Sequence, residues 1–370
     1  MPGVYVHVPF CKSRCIYCDF YSTTHSDEWK SSFVDALLAE MEVRKGEMEG
    51  KEASTLYIGG GTPSQLPPED LQRILFAAQR TFCLKDDAEA TVEANPDDVS
   101  DNWLEKLKET CTNRISLGVQ SFDDKLLLLL RRRHSAQQAK EVVERCQKHG
   151  FGNLSIDLIF GIPGQTLEGW KEDLNHALEL GISHLSCYSM QIEEQTVLGK
   201  MVKKGTLKET DEELSLAMYE YLMEATEKAG FVHYEISNFC RPGMQSRHNS
   251  SYWTQEAYVG LGPGAHSYDG KRTRRWNLPG LKEYVSAKGL APHEEETLTD
   301  DELYDELVFT RLRTAEGLPL NLLSDQKKAY CLEMSAVHLE NGRLLLENEV
   351  LKLPKSSIFV SDDIVSDLMS

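Results

Sequence analysis

In the first half of the chain, short runs rich in β-branched and aromatic residues alternate with longer stretches of helical character. The runs predict strands at Val4–Val8, Thr55–Gly59, Glu89–Ala94, Arg114–Gln120, Leu154–Ile162 and His184–Met190. Between them, helices are predicted over about Asp27–Glu47, Pro68–Thr81, Asp101–Thr110, Ala136–His149 and Thr166–Leu180, and another follows over about Asp211–Ala229. Pro67-Pro68-Glu69-Asp70 places prolines and acids at a first turn, and Gly150 and Gly181 fall just past helix ends. Six strand-then-helix units predict an α/β fold with a parallel sheet and helical crossovers. Six units are too few for the usual closed eight-fold barrel. A partial (β/α)6 TIM-type barrel is expected, with function at the C-terminal ends of its strands. Periodicity does not separate that arrangement from an open doubly wound sheet.

Around Phe231–Arg275 the pattern changes to a loop-rich stretch, NFCRPGMQSRHNSSYW followed by YVGLGPGAHSYDG. It holds too many aromatic residues for a disordered linker. From about Leu298 a further α+β section is expected. It comprises helices Asp300–Arg313 and near Leu322–Glu340, a β-ribbon of Arg343–Glu347, Val350–Leu353 and Ile358–Val360, and a polar-apolar tail, Ser361–Leu368. The expected division is a barrel domain over residues 1–230, a connecting segment over 231–297 and a helix-plus-wing cap over 298–370.

Charge narrows the partners. The chain of 370 residues has 40 Lys and Arg against 59 Asp and Glu, a net charge of −19. Such a surface repels phosphate backbones and anionic lipid, so no nucleic-acid partner is expected. Arg131-Arg132-Arg133 is a local exception. The longest apolar run, Leu126–Leu130, is far short of the roughly 20 residues of a membrane span, and no signal peptide is evident. Nine cysteines, an odd number scattered beyond one tight group, argue against a disulfide framework and for a reducing compartment, the cytoplasm.

That group is Cys11-Lys-Ser-Arg-Cys15-Ile-Tyr-Cys18, directly after the first predicted strand. Three thiolates this close converge on one soft metal centre only from a loop, which Pro9 and the small and charged residues between them favour. Three ligands leave one position open. A zinc site would fill it with a fourth ligand or water, whereas a four-iron cluster would keep one iron free for a small molecule. Gly59-Gly60-Gly61-Thr62-Pro63 ends the second strand, either as a tight turn or as a place where backbone N–H groups meet a ligand. Glu93, Gln120 and Asp157 sit near the ends of consecutive strands, as core ion pairs or as ligand contacts; an unpaired buried carboxylate costs several kcal/mol. Cys83, Cys111, Cys146 and Cys331 read as small core residues, and Cys240 beside Arg241-Pro242 as exposed.

Together, YVHVPFCKSRCIYCDF, GGGTPS, VEANP, LGVQSF, RRRHS, IDLIFGIPGQT and HNSSYW resemble the oxygen-independent coproporphyrinogen III oxidase family of radical S-adenosylmethionine (SAM) proteins, and within it the HemW heme-chaperone branch. The motifs run from Tyr5 to Trp253. The resemblance implies a [4Fe–4S] cluster on Cys11, Cys15 and Cys18 that cleaves SAM to a 5′-deoxyadenosyl radical. It implies SAM contacts from Tyr5, from Gly60, Gly61 and Thr62 at the methionine end, from Glu93, from Gln120 and Asp157 at the ribose, from Arg132 at the carboxylate, and from Tyr188 and Gln191 beside the adenine, with Ile162 a weaker neighbour. Arg131 and Arg133 are expected in solvent, and His7 is expected to support the cysteine loop.

The oxidases of this family carry a further cysteine two residues after the third ligand. Here that position is Phe20. They also carry a long N-terminal extension, and here the first strand begins at Val4. The expected function is therefore a heme chaperone that binds haem and delivers it to acceptor proteins, its cluster served by an electron donor. The alternative is oxidative decarboxylation of coproporphyrinogen III to protoporphyrinogen IX. His248, in the HNSSYW segment, is either an ordinary hydrogen-bonding residue or an axial haem ligand.

Overall fold

The computed structural model describes residues 2–24, 26–48 and 50–370. Its six parallel strands are β1 (Gly3–Val8), β2 (Thr55–Gly60), β3 (Glu89–Ala94), β4 (Arg114–Gln120), β5 (Leu154–Phe160) and β6 (His184–Ser189). They pair in sequence order. A doubly wound sheet reverses order at a switch point. No reversal occurs here, so the sheet is the partial barrel. The helices Lys30–Arg44, Pro68–Thr81, Asp101–Lys108, Ala136–Lys148 and Leu167–Glu179 form the crossovers. Ser100, Ser135 and Thr166 cap three of them by accepting a first-turn backbone N–H.

Along each strand the residues alternate between faces. Val4, Val6, Leu56, Ile58, Val92, Ile115, Leu117, Ile156 and Leu158 form one face, fully buried in the main hydrophobic core. Tyr5, His7, Tyr57, Glu93, Arg114, Ser116, Asp157 and His184 occupy the other, inward face. The polar lining is cross-linked between strands: the Tyr57 hydroxyl donates to Glu93 at 2.7 Å, and Ser116 to Asp157 at 3.4 Å.

The stretch expected to be loop-rich is instead part of the sheet. It contains β7 (Val232–Glu235), β8 (Asn238–Cys240), β9 (Tyr258–Leu261), β10 (His266–Tyr268), β11 (Thr273–Asn277) and β12 (His293–Thr297). β9 adds parallel to β1, and β10 to β12 continue antiparallel. Beyond β6 come β8 and β7, giving the order β12-β11-β10-β9-β1-β2-β3-β4-β5-β6-β8-β7. These strands have three to five residues each; β9 and β8 pair with the barrel edges β1 and β6, and the others extend from them. A buried ion pair anchors the addition: Arg44, 2 % exposed, bonds Glu40 at 3.2 Å, and Glu40 also accepts from Gly262 N, Asn277 and Tyr284.

Residues from Asp300 onward build a second, smaller hydrophobic core of their own. It lies among helices Asp300–Leu312, Asp325–Glu340 and Ser361–Leu368 and a small sheet of β13 (Leu318–Pro319), β14 (Leu345–Glu347) and β15 (Val350–Lys352), ordered β13-β15-β14. Two expectations fail here. Ile358–Val360 is no strand but the end of a 3-10 turn, Lys355–Val360, begun by Pro354. The supposed tail is the last helix, which buries Ile364, Val365 and Leu368. Arg313 joins this part to the barrel by two hydrogen bonds, 3.0 and 3.1 Å, to the fully buried Glu235. Among the described residues no helix is long and apolar enough to cross a membrane.

Candidate functional site

At the C-terminal ends of the strands lies a cavity of about 500 Å3. Its wall brings together residues far apart in sequence: Cys11, Cys15 and Cys18, Gly60, Gly61 and Thr62, and Glu93, Gln120, Arg132, Asp157, Tyr188 and Gln191. A volume in the range of roughly 300–1,000 Å3 is that of small-molecule sites.

The cysteines follow β1 on a loop that folds back on itself. Cys11 N donates to Thr23 O at 2.9 Å, and Thr23 N to Pro9 O at 2.7 Å. His7 supports the loop from below through Nε2 and Tyr21 O, 2.9 Å apart. None of the three is in a disulfide, and each is partly accessible from the cavity. Burial raises the pKa of the Cys11 thiol and pushes that of Cys18 up to about 11. Thiols must be deprotonated to bind metal, and a cationic centre would overcome that cost. The donor set fits a cluster: three free soft thiols on one cavity wall, with a charged arginine nearby. Arg132 directs Nη1 to Cys15 Sγ at 3.4 Å and Nη2 to Asn95 Oδ1 at 2.6 Å, and also bonds Gly118 O.

The glycine turn is packed too closely for side chains. A Cβ on Gly60, at φ 109°, would lie 2.6 Å from the His7 ring, and one on Gly61 would lie 2.9 Å from the backbone of Val8 and Pro9. Glu93 holds this turn, accepting from Gly60 N at 3.2 Å as well as from Tyr57. Burial raises the Glu93 carboxyl to about 7, helped by Asp157 and opposed by the Tyr57 hydrogen bond. Asp157 is raised too, first by burial, against its bonds to Ser186 and Ser116. Two carboxylates removed from water on one cavity wall favour a ligand that carries positive charge and several N–H or O–H donors. Buried Arg114, behind them on β4, offsets part of their charge.

Local strain aims two of the remaining side chains. Gln120 sits at φ 73° on a bulge that shifts the β4–β5 register, so its amide turns into the cavity. Arg131 at φ 58° ends the helix Asp124–Leu129 and swings Arg132 inward. Arg131 itself is exposed as expected. Arg133 is not free in solvent; it pairs with Asp97 at 2.6 Å and Asp98 at 2.9 Å.

Five expectations change. Tyr5 does not reach this cavity; its hydroxyl lies 3.1 Å from His7 Nδ1, one layer lower. Ile162 is wholly buried against Leu126, Leu130 and Ile159, because the Gly161 turn leads the chain away, and Ile159 lines the cavity in its place. Cys83 is exposed, and Cys240 is fully buried within a paired strand. His248 lies at the opposite end of the barrel, 1 % exposed, with Nδ1 2.8 Å from Thr55 Oγ1 and Nε2 2.8 Å from the Tyr252 hydroxyl. Its helix, Arg247–Trp253, caps the strand starts, where Arg247 N and His248 N both donate to Glu89 at 2.9 Å. Neither imidazole nitrogen is free to bind iron in this arrangement.

Sequence reasoning missed Asn95 and Ser116. Asn95 bridges Thr62 and Arg132, and Ser116 bonds Asp157. The signal was available: both lie two positions from inward-facing residues, at the spacing that keeps a strand residue on the same side.

Residues 5–177 match the model of the Radical SAM superfamily, whose members carry a [4Fe–4S] cluster and SAM. The chain is 40 % identical over 321 residues to the Heme chaperone HemW of Lactococcus lactis, covering 85 % of this chain and 82 % of that protein. It is 38 % identical over 372 residues to the HemW of Bacillus subtilis, covering 95 % and 98 %. The solved coproporphyrinogen III oxidase (HemN) of Escherichia coli shares the fold, with a TM-score of 0.85 at 22 % identity over 100 % of this chain and 90 % of that one. The chain belongs to the HemW heme-chaperone family of radical SAM proteins.

Proposed function

We propose that this protein binds haem and transfers it to acceptor proteins in the cytoplasm, while holding a [4Fe–4S] cluster and SAM at the strand ends. The observation that carries the reading is end-to-end similarity to HemW of Bacillus subtilis, 38 % identity across 98 % of that protein. In this reading Cys11, Cys15 and Cys18 hold the cluster. Gly60, Gly61 and Thr62 receive the methionine end of SAM, whose ammonium meets Glu93 and whose carboxylate meets Arg132. Gln120 and Asp157 accept from the ribose hydroxyls, and Tyr188 and Gln191 border the adenine. When bound, the cluster would supply the one-electron chemistry that activates SAM, with an electron drawn from a donor. The chain orients the SAM and excludes water around it.

The cavity is also compatible with decarboxylation of coproporphyrinogen III. Phe20 weighs against that reading: it is 67 % exposed on the cavity rim, where the oxidases have a cysteine. The anaerobically reconstituted protein should give no protoporphyrinogen from coproporphyrinogen III with SAM and reductant. It should bind haem stoichiometrically and release it to an acceptor apoprotein. Product formation at turnover without haem transfer would replace this reading with the oxidase.

A further inference from the structure

A second cavity, of about 450 Å3, opens on the same inward face of the sheet, beside the cluster loop. Phe20 lines both cavities. Its walls are aromatic: Phe20 and Tyr21 from the cysteine loop, Tyr252 from the floor helix, Tyr258 on β9, and Trp276 on β11. Such walls suit a broad, flat, largely apolar ligand.

Two histidines line this space, and only one has capacity to spare. His7 spends Nε2 on Tyr21 O and Nδ1 on the Tyr5 hydroxyl. His266, on β10, is exposed, and its ring stacks on Trp276 with centroids 5.9 Å apart and planes 20° apart. Neither of its nitrogens has a hydrogen-bond partner among the described residues. Burial and Arg274 both lower its pKa, so it is neutral near pH 7, the form that binds metal. The backbone is shaped to bring it there. A Cβ on Gly260 would lie 1.8 Å from His266 O, so only glycine lets β9 and β10 meet at this point.

Resting on the heme-chaperone reading, we propose that this aromatic cavity is the haem site and that His266 is an axial ligand to the iron. A planar iron porphyrin is the ligand class that uses both features, the aromatic walls for its faces and a free imidazole for its metal. The propionates would remain at the open mouth, and the bound ring would touch Phe20, the wall of the cluster cavity.

The test is haem titration of the reconstituted full-length protein, followed by absorbance and by magnetic circular dichroism to identify the axial ligand. His266→Ala should remove the histidine-ligand signature. It should weaken binding by at least the roughly 10–100-fold that a supporting residue around a metal costs when lost. His266→Gly should regain the signature when free imidazole is added. His248→Ala should leave the signature intact. Iron and sulfide content and SAM binding should stay at wild-type levels in the His266 variants, which shows that they fold. An unchanged affinity and spectrum in His266→Ala, or a signature lost in His248→Ala instead, overturns this site while leaving the haem reading standing. Failure of the unsubstituted protein to bind haem at all overturns the haem reading itself.

Discussion

The strands β2 and β3 end in opposite ways. Where they begin, polar side chains are paired with the chain: Thr55 with His248, and Glu89 with two backbone N–H groups of the floor helix. Where they finish, Gly60 and Glu93 border a cavity, and burial holds the Glu93 carboxyl near 7. Both ends bury polar groups, so burial alone does not mark a site. The mark is polar capacity directed into empty space. By that measure the strand finishes are the candidate site, whereas at the floor His248 and the N–H groups of the HNSSYW helix are spent on the strand starts.

The sharpest way to break the contrast is at the cysteines. Cys11→Ala, Cys15→Ala or Cys18→Ala should each abolish cluster assembly on anaerobic reconstitution, measured as iron and sulfide per chain, with unchanged circular dichroism. Full iron loading of any of them would remove that thiol as a ligand. At the floor the effect should be on stability. Glu89→Ala strands the N–H groups of Arg247 and His248 and should cost about 1–3 kcal/mol by denaturant titration, with SAM affinity unchanged at low denaturant. A large loss of SAM affinity there would erase the distinction between the two ends.

Glu93 tests the upper end through pH. Its folded pKa of about 7 lies above the ordinary 4.5. The stability it lends is therefore complete below about pH 4.5 and is lost as pH rises through 7. A cationic ligand reverses the preference, because it binds the carboxylate. SAM affinity should fall as pH drops below 7, by isothermal calorimetry on the loaded protein, and Glu93→Gln should be weaker but flatter with pH. Asp157, Arg114 and Tyr57 face the same carboxyl and are unchanged in that variant. The smallest effect concerns Arg131, held in left-handed backbone beside Arg132. Arg131→Gly relieves roughly 1–2 kcal/mol of strain against an entropic cost of about 0.5–1 kcal/mol. A gain of up to about 1.5 kcal/mol is expected, with SAM affinity intact.

Much of the barrel was legible. Strands Glu89–Ala94 and Arg114–Gln120 and the helix Pro68–Thr81 form over the predicted residues, because local signals set them: alternating side chains and a proline-acid first turn. The helices Asp124–Leu129 and Val197–Lys203 escaped notice, being under two turns long. β7 to β12 escaped for another reason. β9 pairs with β1 across some 250 residues of sequence, and such a partner leaves no local periodicity. At the site, residues named from motifs do gather on one cavity. Tyr5 lines the second cavity and His248 stands at the strand starts; a motif does not say at which level of a barrel a side chain stands. His266 lay in plain view within GLGPGAHSY, but nothing in the sequence told that its nitrogens were unspent.

The outermost strand, β12, reads His-Glu-Glu-Glu-Thr, and all five residues are exposed. A sheet of twelve strands has two rims, and each is an invitation to pair with a neighbouring molecule. On the β7 rim, Glu235 bridges to Thr314, so the chain's own later segment occupies part of that margin. On the β12 rim stand Glu294, Glu295 and Glu296, all exposed. Two copies brought rim to rim would set six negative charges against one another. The net charge of −19 thus has a local counterpart at this one margin, where like charges oppose edge-to-edge pairing of the sheet.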